Sequence, residues 1–502
     1  MVFPIVGANS ESAVYEISNS MRFNRGSASY LAKTFSGTPT STKICTISFW
    51  TKLADPKDTN AKVMFSAIKS GSNEDRIGFM GINNGILNNL EFAFNNTNAG
   101  SMMLTSGSDF VKFRDPSAWY HIVVAIDSSQ GTASNRLKVY VNGTQFDTES
   151  RIEGGSATDD VPLTQNYELG FLTASLHAVG YNVESDGNEP YDGYISEFYF
   201  IDGQQLAPTS FGETDDNGVW VPKDAKDDLT FGNYGFFLEF KQTGSSANSS
   251  GMGADTSGND NHFGPAGMGT DHITTDTPTN NFCTLNPLTA GSSDPEIREG
   301  NLQQYEHGAT NSAGAAATMM PIKGKWYAEL FLNGPSGNDY PFFGITDSYQ
   351  LNRQGAQGTK MAAGFEISGN SNNQGTHNLG TITNTNTGWP SFSDNDIIMY
   401  ALDCDNRKLW LGRNGTWINS GDPAGNSNQQ LSWTLDANVC PFLLGYDNSQ
   451  SGGGGDESMW NYGNPPFSIS SSNSDANGYG NFEYEVPSGY YALCTKNLAE
   501  FG

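Results

Sequence analysis

Glu483 and Glu485, separated by Tyr484, are the nearest approach in this 502-residue chain to a pair of carboxylates arranged for acid–base work. Alternate side chains of a strand share a face, so on a strand both would point the same way. Glycoside hydrolysis by the retaining route needs two carboxyl groups about 5–5.5 Å apart. The exposed polar face of a final hairpin has the same pattern, and that reading is preferred. There is no Gly-x-Ser-x-Gly elbow, no His-Glu-x-x-His and no P-loop. The six histidines, His121, His177, His262, His272, His307 and His377, never fall at metal-ligand spacing. His121, inside WYHIVV, reads as a strand residue that packs or hydrogen-bonds. No enzymatic activity is expected.

Two other constellations could hold a ligand. ADTSGNDN, residues 254–261, offers oxygen donors at Asp255, Ser257, Asn259 and Asn261, with Asp260 beside them. Calcium accepts such mixed carboxylate, hydroxyl and amide sets. The spacing lacks the full EF-hand pattern, and the same residues make an ordinary Asx turn. Calcium is thus a candidate ligand, and no cofactor is required. Sugar binding would use rim aromatics that stack on sugar faces. Trp389, Trp417, Trp460, Tyr462, Tyr181 and Tyr191 are the candidates. Trp389 in NTNTGWPSFSD and Trp460 in GGGGDESMWNYGNPP are favoured, because both stretches read as long polar loops.

The elements that must carry these residues read as all-β. Gly is abundant (58 residues), aromatics make up 12%, and no long stretch shows a 3.6-residue period. Gly and Asn suit tight turns because they reach positive φ at little cost. Hydrophobic residues are 36% and charged residues 16%, a globular balance with enough length for two to four domains. The 26 basic residues are outnumbered by 54 acidic ones, giving a formal charge of −28. Phosphate backbones are bound by Lys and Arg, so no nucleic-acid partner is expected. No apolar run is long enough to span a bilayer, so no membrane insertion is expected. MVFPIVGANSESAVYEI has neither a basic n-region nor an apolar h-region and reads against a Sec signal. Five scattered cysteines (Cys45, Cys283, Cys404, Cys440, Cys494) without a CxxC read as buried thiols made in a reducing compartment.

One pattern occurs twice. Residues 125–144 read AIDSSQGTASNRLKVYVNGT and residues 401–417 read ALDCDNRKLWLGRNGTW. Each is an apolar strand, a polar turn, Asn-Arg, an alternating strand and Asn-Gly-Thr. Asn-Gly closes a hairpin by supplying two positive φ angles. The shared text is an architectural device in two sandwiches, not two copies of a site, and the sequons at Asn142 and Asn414 read as turns. Around the first hairpin, apolar alternation recurs between turn clusters over 13–240. In TISFWTKL, Ile47, Phe49 and Thr51 share one face and Trp50 and Lys52 the other, which predicts a strand covered on both sides. Residues 241–318 are rich in Gly, Ser, Asn, Thr and Pro and read as a connector, an ordered one because PTNNFCTLNP sets Phe282 and Leu285 among Asn and Pro. Residues 319–502 hold the second set of strands. The predicted architecture is two jelly-roll-like antiparallel β-sandwiches over 1–240 and 319–502, joined by the 241–318 connector.

SFW, WYHIVVAID, RLKVYVNGT and YDGYISEFYFIDGQQL, in that order, resemble laminin-G-like and pentraxin-like jelly rolls of the concanavalin A class, over roughly residues 20–210. The closing strand carries Gly193, Ile195, Glu197, Phe198 and Phe200. The resemblance implies a lectin-type sandwich and makes Asp192 and Glu197 further candidates for a calcium near its rim. Related β-glucanases carry Glu-x-Asp-x-Glu on one strand, and nothing here matches. FFLEFKQTG and ADTSGNDNHFGPAG resemble the phrase that opens many laminin-G-like domains. Residues 231–265 are therefore a strand returning to the first sandwich, a permuted edge or the start of a third layer. The second half is similar to the SPRY domain, through Trp326, Tyr327, Gly344, Ile345, Asp396, Ile398, Asp403, Asp405, Asn406, Lys408, Leu409, Trp410, Asn414, Gly415, Trp417, Pro441, Phe442, Pro487, Gly489 and Tyr490. In SPRY domains loops on one edge bind protein segments, a role that Asp405 or Trp417 would fit.

The tandem arrangement resembles predicted structural proteins of marine tailed phages. That resemblance implies a virion protein assembled in the host cytoplasm: an appendage, fibre or decoration displaying lectin-like domains. Implied partners are other virion proteins of capsid or tail, a host-surface glycan or protein receptor, and further copies of the chain in a homo-oligomer. A cementing protein without receptor function, a carbohydrate-binding protein exported by a non-Sec route, and a lectin-fold hydrolase are the alternatives.

Overall fold

The computed structural model describes residues 15–54, 56, 60–71, 73–82, 86–94, 101–106, 109–111, 113–151, 163–184, 189–289, 296–305, 313–333, 342–346, 361–367, 375–378, 381–384, 389–433, 444–447 and 457–502. The fold is all-β, its described sheets antiparallel except where Lys325–Asn333 pairs in parallel with Tyr491–Ala492. Among the described residues the only α-helix is Thr495–Phe501, and no helix is long and apolar enough to cross a membrane. The chain divides into two compact units, Ser10–Thr279 and Asn280–Gly502.

In the N-terminal unit one layer contains Ser20–Phe23, Gly193–Asp202, Ile44–Leu53, Trp119–Asp127 and Leu137–Val141. The other contains Tyr30–Thr34, Leu176–Val179, Lys62–Ser70, Asn73–Ile82 and Ile86–Phe94. The hydrogen-bonded path passes between the layers where Thr144–Arg151 pairs with Ser101–Ser106. Period-two alternation, shifted by one residue at the bulge between Ser196 and Tyr199, turns Ile47, Phe49, Phe65, Ile77, Phe92, Ile195, Phe198 and Phe200 into one core. Each such side chain contributes about 1.5–3 kcal/mol by leaving water. Ile44–Leu53 is covered on both faces: Trp50 stacks on His121 at 4.7 Å, and Lys52 pairs with Asp276 at 2.8 Å, both charges buried.

Residues 231–265 return to this sandwich. Phe236–Leu238 pairs with Gly193–Asp202, and Gly264–Ala266 pairs with Tyr30–Thr34. Ile273–Thr274 then pairs with Ser20–Phe23. One short excursion thus covers an exposed edge in each layer, where unpaired backbone groups would otherwise invite another chain. Gly193–Asp202 exchanges partners along one side, from Ser20–Phe23 at 193–195 to Phe236–Leu238 at 198–200. A bulge lies between those pairings, with Glu197 at φ 47°. Outside the main core, Val123, Tyr199, Ile201, Phe211, Phe231 and Phe237 form a satellite cluster on the outer face.

In the C-terminal unit the main sheet runs Glu296–Arg298, Gln303–Tyr305, Glu457–Asn461, Lys325–Asn333, Ile397–Asp403, Lys408–Arg413 and Thr416–Trp417. The second contains Ala313–Ala316, Leu444–Asp447, Phe342–Thr346, Met361–Glu366, Gly375–Asn378 and Thr381–Asn384. Here too the outer face of a sheet is covered, with Phe282, Tyr327, Met399, Trp410, Phe482 and Tyr490 forming the satellite cluster. The segment read as a connector is divided at Thr279. Phe282 and Leu285 are buried in the C-terminal unit, bridging to Cys494 and Ala317. Cys440, Pro441 and Phe442 lie outside the described residues.

Candidate functional site

The two Asn-Gly hairpins close alike. Asn142 and Gly143 have φ of 47° and 76°, and Asn414 and Gly415 have 46° and 82°, the signature of a type I′ turn. Each asparagine also clamps the strand beside it. Asn142 Oδ1 accepts the His121 N–H at 2.8 Å, and its own N–H donates to the His121 carbonyl at 2.9 Å. Asn414 does the same with Ile397, at 2.9 Å in both directions. A later aromatic covers each turn glycine. A Cβ on Gly143 would lie 2.5 Å from the Trp220 ring, and one on Gly415 would lie 3.1 Å from the Tyr484 ring. Beside the first hairpin, Trp220 Nε1 donates to His121 Nδ1 at 2.9 Å, and burial pushes the His121 imidazole down to about 3. That histidine is neutral packing.

Beside the second hairpin lies a cleft of about 410 Å³. Trp417 enters it from the short strand after the turn, its ring edge-on to Tyr327 at 6.5 Å. Tyr484 enters from the C-terminal segment, where the buried Glu329 carboxylate accepts its backbone N–H at 2.8 Å. Buried Met399 and Val486 line it, with Pro423 and Pro487. Asp422, Glu485 and Ser488 are exposed lining residues, and the lining contains no lysine or arginine. Asp422 Oδ1 accepts the Gly425 N–H at 2.8 Å, fixing its turn. Aromatic faces, hydroxyl and indole donors and two carboxylates are the groups that hold a polyhydroxylated ligand.

Of the aromatics expected to bind sugar, Trp417 lines this cleft. Trp389, Trp460, Tyr462 and Tyr191 are core residues instead, which corrects the rim-loop expectation. Trp460 belongs to Glu457–Asn461, which pairs with Lys325–Asn333, so its ring faces inward, stacked on Tyr462 at 5.5 Å and edge-on to Tyr400. Trp389 packs edge-on to Phe365 at 6.0 Å. Tyr191 packs against Phe23, and its hydroxyl meets the Thr51 hydroxyl at 2.5 Å. Tyr181 is half-buried and stacked on Tyr30 at 4.6 Å.

The residues suggested for calcium do not fit the ion. Asp255 Oδ1 accepts the N–H groups of Phe237 and Ser257, and Oδ2 accepts from Ser257 Oγ and the Asn261 N–H. Four donors occupy the lone pairs that a cation would need. Asn259 and Asn261 donate their amide N–H groups to carbonyls of Gly232, Asn233 and Gly235. The set is a clamp between 255–261 and 232–237. Among the described residues, no group of three or more His, Cys, Asp or Glu could hold a metal ion. Glu483 and Glu485 are not a matched pair either. Burial would raise Glu483, but Ser470 and Ser471 donate to it and hold it below the usual carboxylate range, while Glu485 lies at the cleft. Tyr484 and Met399 were missed by sequence reasoning, since neither belongs to a motif.

Comparison with curated proteins finds no match. Among solved structures, the chain is similar to the SPRY domain of human HERC1 at 15% identity, covering 35% of this chain and 96% of that one, with a TM-score of 0.27. It is also similar to the native heptameric SAP-like pentraxin from Limulus polyphemus at 16% identity, covering 38% of this chain and 80% of that one, with a TM-score of 0.24. Residues 25–205 match the family model of the concanavalin A-like lectin/glucanases superfamily, a stretch that holds most strands of the two-layered sandwich of the N-terminal unit.

Proposed function

We propose that this protein is a non-enzymatic virion protein of a phage that recognises glycan on a host surface. The match of residues 25–205 to the concanavalin A-like lectin/glucanases superfamily carries the reading. The charge of −28 argues against nucleic acid, and the sequence has no Gly-x-Ser-x-Gly elbow, His-Glu-x-x-His or Glu-x-Asp-x-Glu strand. The virion assignment rests on the tandem resemblance in the sequence. It brings with it other virion proteins as partners and a homo-oligomeric state, since repeated subunits usually assemble with closed symmetry. Single-site affinity is weak, because each sugar hydroxyl bond replaces one to water. Many copies on a particle supply avidity.

The test is titration of a bacterial surface polysaccharide panel with the protein, free and displayed at high density. Weak binding that strengthens on display is expected, and no binding in either format contradicts the reading. The burial of Trp389 and Trp460 in the core removes them from any receptor surface, and a protein that cements capsid or tail is the second reading of the same tandem resemblance. Mass spectrometry and mapping of purified particles test both, since each requires the chain in the virion.

A further inference from the structure

We propose that the Trp417–Tyr484 cleft is a saccharide subsite that prefers a hexosamine unit with a free ammonium group. This rests on the glycan-recognition reading and adds a ligand class and a place. A pyranose ring has an apolar C–H face, which aromatic side chains such as Trp417 and Tyr484 cover. An ammonium close to such rings gains a further attraction to their π faces. The cleft volume of about 410 Å³ lies within the range of small-molecule sites.

Charge selects among sugars. Asp422 and Glu485 are both exposed, and no basic residue lines the cleft to neutralise them. A uronic or sialic unit would meet two carboxylates on a chain of net charge −28, while an ammonium would meet complementary charge. Both walls are fixed before a ligand arrives. Trp417 follows the clamped Asn414–Gly415 turn, and the Tyr484 backbone is held by Glu329. Little ordering is left to oppose binding.

The test is calorimetric titration of the full chain with β-1,4-linked hexamers of glucosamine, N-acetylglucosamine and glucose, and an α-1,4-linked galacturonate hexamer. The glucosamine hexamer is expected to bind about tenfold more tightly than the neutral hexamers, with the preference shrinking as salt rises. Trp417→Ala should weaken it about tenfold. Ser488→Trp, a substitution at an exposed lining residue that fills the cleft, should do the same and keeps the test independent of any folding cost of removing Trp417. Asp422→Asn with Glu485→Gln should abolish the ammonium preference, read as the ratio of glucosamine-hexamer to glucose-hexamer affinity. Galacturonate binding as tightly as glucosamine, or a preference surviving the double substitution, overturns the ligand class. Glycan binding indifferent to Ser488→Trp overturns the site and leaves the general reading standing, whereas no glycan binding at all removes both.

Discussion

The Glu329 carboxylate accepts the Tyr484 backbone N–H at 2.8 Å, and that bond ties the C-terminal segment to the outer face of the main sheet. It also accepts from the Glu483 N–H at 3.0 Å, the Tyr327 hydroxyl at 3.1 Å and Asn461 Nδ2 at 3.1 Å. Burial raises the Glu329 pKa, and these four donors oppose the rise by stabilising the charge. Glu329→Ala would leave the donors unpaired in the interior. We expect it to destabilise the C-terminal unit by about 2–4 kcal/mol in urea unfolding. A change below about 0.5 kcal/mol would show that the segment is held by its apolar contacts alone.

Asn142 and Asn414 separate turn conformation from side-chain clamping. Replacement by Gly keeps the positive φ and loses only the bonds to His121 and Ile397, whereas replacement by Ala loses both. Asn→Gly at either site should cost about 1 kcal/mol and Asn→Ala about 2 kcal/mol, read from thermal or urea unfolding. Asn→Gly variants as stable as the parent would mean that the clamp contributes nothing.

These hairpins were legible in the sequence because an Asn-Gly turn is a local signal. So was the double coverage of Ile44–Leu53, since Trp50 and Lys52 interrupt an otherwise one-sided pattern. Trp460 was not legible. Its neighbours are Gly, Asp, Ser and Asn, a loop composition, and only pairing with Lys325–Asn333, more than a hundred residues earlier, turns the ring into the core. The 255–261 stretch misled for the same reason: its local spacing suits a calcium loop, but Asp255 accepts the Phe237 N–H, and carbonyls at 232–235 take the side-chain amides of Asn259 and Asn261. The cleft joins a hairpin to a C-terminal segment some 70 residues later through a carboxylate on a third element, and local spacing records none of that.

Burial lifts Glu197 to about 8, against the opposing hydrogen bond from the Tyr15 hydroxyl, and lifts Glu74 to about 7 despite Arg76. For a raised carboxyl the folded state favours the neutral form. Its stabilising share is therefore full below the ordinary carboxylate range and is lost as pH rises through 7 for Glu74 and 8 for Glu197. His121 and His177, pushed down by burial to about 3 and 4, act oppositely, losing their share as pH falls below the ordinary histidine range. Comparing parent and Glu197→Gln at each pH cancels the histidines. The variant should gain relative to the parent between pH about 5 and about 9, and a pH-independent difference would contradict the assignment.

Cys45, Cys283, Cys404 and Cys494 are buried free thiols. Burial raises Cys45 and Cys404 well above the ordinary thiol range and Cys494 to about 11, so thiolate is scarce at neutral pH. Alkylation mapped by mass spectrometry should leave all four unmodified in the folded protein and label them in denaturant. Rapid labelling of any of the four under native conditions would show that its surroundings open readily.

The central claim, recognition of glycan without chemistry, is tested most directly by one assay. The full chain is incubated with host-surface polysaccharide while bound protein and new reducing ends are measured on the same samples. The account predicts saturable binding, stronger when the protein is displayed in many copies, with no increase in reducing ends over the polysaccharide alone. Reducing ends that accumulate in proportion to protein would make it a hydrolase, and absence of binding in both formats would remove glycan recognition altogether.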